Sequence, residues 1–141
     1  RHSATPFVYD ASWGGLVSCG CIYDDCQGHC EPHCTNDVTP ADHCPALQSA
    51  GMNFGNGMYN DHHLQYGYFV YTAAVLARHK PQWERQWREH ILALVRDYGN
   101  PSTADPNFPV ARHKDWFLGF SWADGIRQAE ANGRSQQSVS E

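Results

Sequence analysis

Apolar and polar positions divide this chain into three regimes. Residues Phe69, Val70, Tyr71, Ala73, Ala74, Val75, Leu76 and Ala77 form an almost unbroken apolar run. From Gln82 to Tyr98 the apolar residues Trp83, Trp87, Ile91, Leu94, Val95 and Tyr98 keep helical spacing, while Glu84, Arg85, Arg88, Glu89, Arg96 and Asp97 fall on the other side. Residues 19–53 show no sustained period and read as an irregular loop. The first regime predicts a helix from about Asp61 to His79, apolar on most faces and so buried on most faces, ended by Pro81. The second predicts an amphipathic helix from about Gln82 to Tyr98, stopped by Gly99-Asn100-Pro101. Joined by a short turn, the two make an αα-hairpin with an inner and an outer member. Such hairpins stacked in a ring make an α/α barrel, but one hairpin cannot close a ring.

The flanks add smaller pieces. Pro6-Phe7-Val8-Tyr9 looks extended and leads to Trp13-Gly14-Gly15-Leu16-Val17. Residues 54–60 form a turn-rich approach to the first helix, with Asn60 or Asp61 able to cap its free amides. After a loop holding Pro101, Pro106 and Pro109, a short helix is expected from about Ser121 to Ala131, ended by Asn132-Gly133. Ser135 to Glu141 reads as the start of another helix. The expected fold class is all-α.

The head of the first helix carries unusual chemistry. Tyr59-Asn60-Asp61-His62-His63-Leu64-Gln65-Tyr66-Gly67-Tyr68 places one carboxylate, two imidazoles and three phenols in front of an apolar rod. Burying such groups unpaired would cost on the order of 2–7 kcal/mol each. The economical reading buries the helix body and opens its N-terminal end into a polar cleft.

Composition narrows the classes. The 141 residues suffice for one ordinary domain and not for two. With 15 acidic against 10 basic side chains the net charge is −5, and the absence of a basic stripe argues against nucleic acid. Five Trp and seven Tyr suit a surface that stacks on pyranose rings, and equally a packed core. No run approaches the ~20 apolar residues of a membrane-spanning helix. The chain opens on Arg1 without a signal peptide and stops at Glu141, which suggests a piece of a larger protein, so the missing signal says nothing of location.

Several blocks, in order, carry a family resemblance. They are Trp13-Gly14-Gly15, Phe54-Gly55-Asn56-Gly57, Tyr59-Asn60-Asp61-His62-His63, Tyr66-Gly67-Tyr68-Phe69, Arg112-His113-Lys114-Asp115-Trp116, Ser121-Trp122-Ala123, and Asn132-Gly133-Arg134 with Gln136, Ser138, Ser140 and Glu141. Together they resemble glycoside hydrolase family 81, the endo-β-1,3-glucanases. The resemblance implies an (α/α)6 barrel flanked by β-rich domains, and endo-hydrolysis of β-1,3-glucan with inversion. Family members are several-fold longer. Residues 1–141 are therefore expected to be a partial catalytic domain, incomplete by itself, with a Cys-rich insertion at 19–44. The implied partners are a β-1,3-glucan polysaccharide and the remainder of the parent chain, with no cofactor, catalytic metal or membrane, in an extracellular or cell-wall setting.

Inverting hydrolysis needs an acid for the leaving oxygen and a base for the attacking water, with the carboxyls about 6.5–9.5 Å apart. Asp61 matches the family's acid. An apolar helix body and nearby rings would favour its protonated form, while the helix N-terminus favours the anion; a plain capping role is the competing reading. At the base position this sequence has Gln137 where the family has glutamate. An amide can hold a water but cannot take its proton, and losing a general base typically slows a reaction about 10²–10⁴-fold. Glu141 lies four residues on, matching a supporting carboxylate, and on a helix would share a face with Gln137. Leu64, Gln65 and Phe120 also depart from the family's usual residues. Tyr59, His63, Tyr66, His113, Asp115, Trp116 and Trp122 are the expected sugar contacts, each with an alternative as a packed ring or a satisfied core group. Asn132 and Arg134 read better as builders of the turn that aims the last segment.

Cys19, Cys21, Cys26, Cys30, Cys34 and Cys44 are interleaved with His29, His33 and His43. An even count suits disulfides in a secreted loop, with 15 possible pairings for six cysteines. Zinc is the rival, because thiolates and imidazoles this close are good ligands; the absence of a C-x2-C pair favours disulfides. Three readings of function remain open: the glucanase, a glucan-binding pseudoenzyme disabled at Gln137, and a Cys-stapled interaction module. The module reading requires the 141 residues to fold alone, whereas a lone inner helix should expose a large apolar patch. Protein purified without chelator is expected to carry no stoichiometric zinc, and one zinc per chain by elemental analysis would remove the disulfide reading.

Overall fold

The computed structural model describes residues 7–20, 44–48, 50–115, 117–122 and 124–126. The expected helix start at Ser135, Gln137, Glu141, Asn132, Arg134, Trp116 and the four cysteines from Cys21 to Cys34 lie outside them. Among the described residues the order is β1 (Phe7–Asp10), β2 (Gly15–Ser18), α1 (Pro45–Gln48), a 3-10 segment (Met52–Met58), α2 (His62–His79), α3 (Pro81–Gly99), β3 (Lys114–Asp115) and β4 (Phe120–Ser121).

A helical hairpin dominates, but the all-α expectation needs correcting. Two antiparallel two-stranded ribbons flank it, β1 with β2 and β3 with β4. The first pairs Phe7 with Ser18 and Asp10 with Gly15. Its turn closes because Gly14, at φ 64, adopts a left-handed conformation and donates its N–H to the Asp10 carbonyl at 2.9 Å. In β2, Gly15 and Val17 are buried while Leu16 and Ser18 are half-buried, the alternation of a strand with one covered face.

Val17 packs with Cys19, Cys44, Ala46 and Tyr59 in a small core, with Val8 and Leu47 against it. Cys19 and Cys44 are joined by a disulfide. The bridge sets α1 beside β2, where the Ala46 N–H reaches the Cys19 carbonyl at 3.0 Å. The 3-10 segment then lies directly on α1: a Cβ on Gly57 would collide with the Ala46 carbonyl.

Helices α2 and α3 fall where the periodicity places them. α2 ends at His79, and Pro81 opens α3, where its missing N–H is harmless. Two expectations fail. Of α2 only His62, Tyr66 and Ala73 are buried, while Tyr68 is 70% and Tyr71 74% exposed. Among the described residues α3 is the one helix of comparable length beside it, and a single partner covers a single stripe. An open apolar groove of about 380 Å³, lined by Tyr68, Phe69, Thr72, Ala73, Leu76, Trp83 and Ile91, runs between them. Nor does Asp61 cap α2 through its side chain. An N-cap residue sits in the extended region, whereas Asp61 is left-handed at φ 50, ψ 26. Asn60 is committed elsewhere, accepting the Gly125 N–H on Oδ1 at 3.0 Å.

The helix expected from Ser121 does not start there. Ser121 pairs with Lys114 in the β3–β4 ribbon, and the Trp122 N–H bonds the His113 carbonyl at 2.8 Å. The intervening turn is organised by Asp115, whose Oδ1 accepts the Phe117 and Leu118 N–H groups at 3.0 and 2.8 Å. Beyond the ribbon, the Ile126 N–H reaches the Met58 carbonyl at 2.7 Å and holds this segment over the 3-10 turn.

Gly15 is a position where the packing around Asp97 leaves no room for a side chain. A Cβ there would run into the Tyr59 ring and lie 2.6 Å from Asp97 Oδ1. Gly15→Ala is expected to destabilise the protein by about 1–3 kcal/mol through overpacking, measured by denaturant unfolding. Gly99→Ala, with nothing within 4 Å of its Cβ, is the control expected to stay within about 0.5 kcal/mol.

Candidate active site

The head of α2 is built around two side chains that the water never reaches. His62, the first residue of α2, and Asp97, in the last turn of α3, are both fully buried. His62 Nδ1 lies 2.6 Å from Asp97 Oδ2, and its Nε2 lies 2.8 Å from the Asn56 carbonyl oxygen. Asp97 Oδ1 accepts the Leu16 N–H at 2.8 Å. The carboxylate thus joins β2, α2 and α3, and the imidazole adds the 3-10 segment.

Arg112 closes the same cluster from the loop after α3. Its Nη2 donates to the carbonyls of Trp13 and Gly14 at 3.0 and 2.7 Å and stands 4.0 Å from Asp97 Oδ1. Its Nε reaches the Asp97 carbonyl at 3.4 Å, a cation satisfying the end of a helix. The guanidinium also lies over the Tyr59 ring, 4.2 Å from its centroid.

Tyr59 and Tyr66 belong to this foundation. Tyr59 is 1% exposed and donates its hydroxyl to Asp10 Oδ2 at 2.9 Å; Tyr66 is fully buried and donates to the Leu16 carbonyl at 2.6 Å. Burial first, then the Asp10 hydrogen bond, pushes the Tyr59 phenol well up; burial and then the Asp97 charge do the same for Tyr66. Both stay neutral donors. Both rings, expected as sugar contacts, are thus buried in this structure. Gln65 is structural too, its amide oxygen taking Asn56 Nδ2 at 2.8 Å.

Over this base sit Asp61 and His63, both half-buried. The His63 ring faces that of His113 at 5.7 Å between centroids, and His113 faces His62 at 5.9 Å. His113 is 2% exposed, so it too is a packed ring rather than a surface contact. Burial first, then the charges of His62, His63 and Arg112, brings its pKa down to about 3. It is a neutral imidazole at any ordinary pH. Asp115 is half-buried and its Oδ1 is engaged in the β3–β4 turn. Trp122 is 37% exposed at the end of that ribbon. The structure thus groups Asp61, His63 and His113 at the mouth of α2, and ties the ribbon carrying Asp115 and Trp122 to His113. Trp116, Gln137 and Glu141 fall outside the described residues.

Sequence reasoning missed the four residues that organise the site: His62 as an anchor, Asp97, Arg112 and Asn56. Asp97 was assigned to the solvent face of α3. The signal was its place three residues after Leu94, within the apolar stripe and not opposite it. Asn56 could be read only through φ/ψ: Asn53, Phe54 and Gly55 are all left-handed, which coils the chain so that the Asn56 carbonyl points at the helix head.

Comparison with known proteins points to one family. A sequence model of the glycosyl hydrolase family 81 C-terminal domain matches residues 41–141. A glucan endo-1,3-beta-D-glucosidase of Arthroderma benhamiae is 38% identical over 136 residues, covering 96% of this chain and 12% of that protein. The primary septum glucan endo-1,3-beta-D-glucosidase of Schizosaccharomyces pombe is 36% identical, covering 96% of this chain and 11% of the relative. Among solved structures, a glycoside hydrolase family 81 protein from Clostridium thermocellum, a mutant form, superposes with a TM-score of 0.56 at 30% identity, covering 85% of this chain and 13% of that one. The chain thus spans about an eighth of the length of the relatives it matches.

Buried, neutral His113 makes stability depend on acid. Its folded pKa lies below the unfolded one, so its contribution is complete above about pH 6.5 and is lost as pH falls toward 3. At pH 5 the loss should reach about 2 kcal/mol. Denaturant midpoints of the unmodified protein and His113→Asn, followed from pH 7 to 4.5, should converge as the unmodified protein weakens. Parallel curves would refute it.

Proposed function

The chain belongs to glycosyl hydrolase family 81, and from that premise we propose that it is part of the catalytic domain of an enzyme that cuts internal β-1,3-glucosidic bonds of laminarin- or callose-type glucan with inversion. The observation that carries the reading is the head of α2. Asp61 stands half-buried in a left-handed conformation between two residues whose side chains are locked into the structure. A carboxyl aimed that firmly suits an acid that must meet one glycosidic oxygen.

In this reading Asp61 protonates the leaving oxygen, and water attacks the opposite face of the sugar. The base position is Gln137, with Glu141 as the nearby carboxylate that takes the water's proton. His63, Asp115, Trp116 and Trp122 contact the glucan; Tyr59, Tyr66 and His113 support them from below. Trp122, partly exposed at the site's edge, offers a face for pyranose stacking.

Residues 1–141 would then be one sector of an (α/α)6 barrel, with α2 an inner and α3 an outer helix and a Cys-rich insertion at 19–44. The exposed rings of α2 support this, since they need neighbours that an isolated hairpin lacks. The Cys19–Cys44 disulfide suits an extracellular or cell-wall protein. One observation favours a second reading, a glucan-binding pseudoenzyme: the amide at Gln137 cannot act as a base.

In the full-length protein Asp61→Asn should lower kcat on laminarin by about 10²–10⁴-fold while leaving glucan binding intact. Gln137→Glu should raise kcat. A folded full-length protein releasing no reducing ends from laminarin or curdlan would defeat the glucanase reading, and hydrolysis gained only on Gln137→Glu would establish the pseudoenzyme.

A further inference from the structure

Both nitrogens of one buried imidazole face acceptors. His62 Nε2 is 2.8 Å from the Asn56 carbonyl oxygen, which can only accept, so Nε2 carries a proton. The Tyr66 hydroxyl is no alternative partner: it stands 3.5 Å from Nε2 and gives its proton to the Leu16 carbonyl at 2.6 Å. On the other side Nδ1 meets Asp97 Oδ2 at 2.6 Å. The second oxygen of Asp97 accepts the Leu16 N–H and faces the Arg112 guanidinium. A carboxylate is the acceptor this ring of donors fits, so Nδ1 carries a proton as well and His62 is an imidazolium. The charges then balance. Asp97 and Asp10 stand against His62 and Arg112, with Tyr59 linking the outer two through its hydroxyl to Asp10 and its ring beneath the guanidinium.

We propose that the buried His62–Asp97 ion pair is a positioning device that holds Asp61 in its left-handed conformation and so aims its carboxyl. The proposal rests on the reading of Asp61 as the acid of a glucanase. Asp61 immediately precedes the imidazolium, and its own carbonyl is fixed by the Gln65 N–H at 2.9 Å. His62 is tied on one side to the 3-10 segment through Asn56 and on the other to α3 through Asp97. A non-glycine residue resists φ 50 and relaxes when its neighbours are freed. Asp97 is therefore a positioning residue, acting on the reaction through His62.

The test uses the full-length protein with Asp97→Asn, which keeps an acceptor for the Leu16 N–H but loses the charge, together with His62→Gln and the double variant. With laminarin as substrate, kcat should fall about 10²-fold in each, as expected for a misplaced catalytic group. KM should stay within about twofold, and the double variant should be no slower than the worse single one, because the two residues act as a unit. Selective ¹⁵N labelling of histidine should show two protonated ring nitrogens on His62 in the unmodified protein, and this spectrum needs no variant to fold. A single protonated nitrogen would overturn the proposal. So would folded Asp97→Asn with unchanged kcat, or one whose kcat loss is matched by an equal rise in KM. Failure of the unmodified protein to cut laminarin would instead strike the glucanase reading, while two protonated nitrogens would leave the ion pair standing.

Discussion

The contact between Asp97 and His62 is the constraint on which the rest of this structure depends. A carboxylate and an imidazole with no exposure to water are tolerated only when their remaining hydrogen-bonding capacity is met. Each neighbouring element meets part of it. The second strand gives the Leu16 N–H, the 3-10 segment gives the Asn56 carbonyl, and the loop after α3 gives Arg112. Removing any of these leaves a charge without its complement in a low-dielectric interior. The small core of Val17, Cys19, Cys44, Ala46 and Tyr59 then has a fixed frame to pack against.

Backbone strain follows from that frame. Asn53, Phe54, Tyr59 and Asp61 all have positive φ within nine residues, an arrangement that non-glycine side chains resist. The chain accepts it because the turn must bring the Asn56 carbonyl to His62 and still start a helix at the next opportunity. Asp61 is one product of this compromise. It loses the geometry of a cap and gains a direction set by its surroundings, as a residue of a functional site often does.

The outer faces of the hairpin tell a different story from its head. The His62–Asp97 pair at that head has its hydrogen bonds met by neighbouring elements, while Tyr68, Phe69, Tyr71, Val75 and Leu76 remain open to solvent. The chain spans about an eighth of the length of the relatives it matches. The structural match at 30% identity takes in 85% of this chain and 13% of the matched protein.

The sequence by itself determined the hairpin, its breakpoint at Pro81, its stop near Asn100 and the polar cluster at its head, because periodicity and proline chemistry act locally. Ordered motifs also led to the family. Only the tertiary structure decided which members of that cluster are fully buried and which are not. Tyr59, Tyr66 and His113 read identically to His63 and Trp122 in one dimension, yet they are buried because Tyr59 meets Asp10, Tyr66 meets Leu16 and Asn56, and His113 packs against His62. Asp97 shows the limit most sharply. Its spacing from Leu94 is only a faint local signal, and it is buried because a histidine 35 residues earlier, a strand amide 81 residues earlier and an arginine beyond the helix end all arrive at one carboxylate.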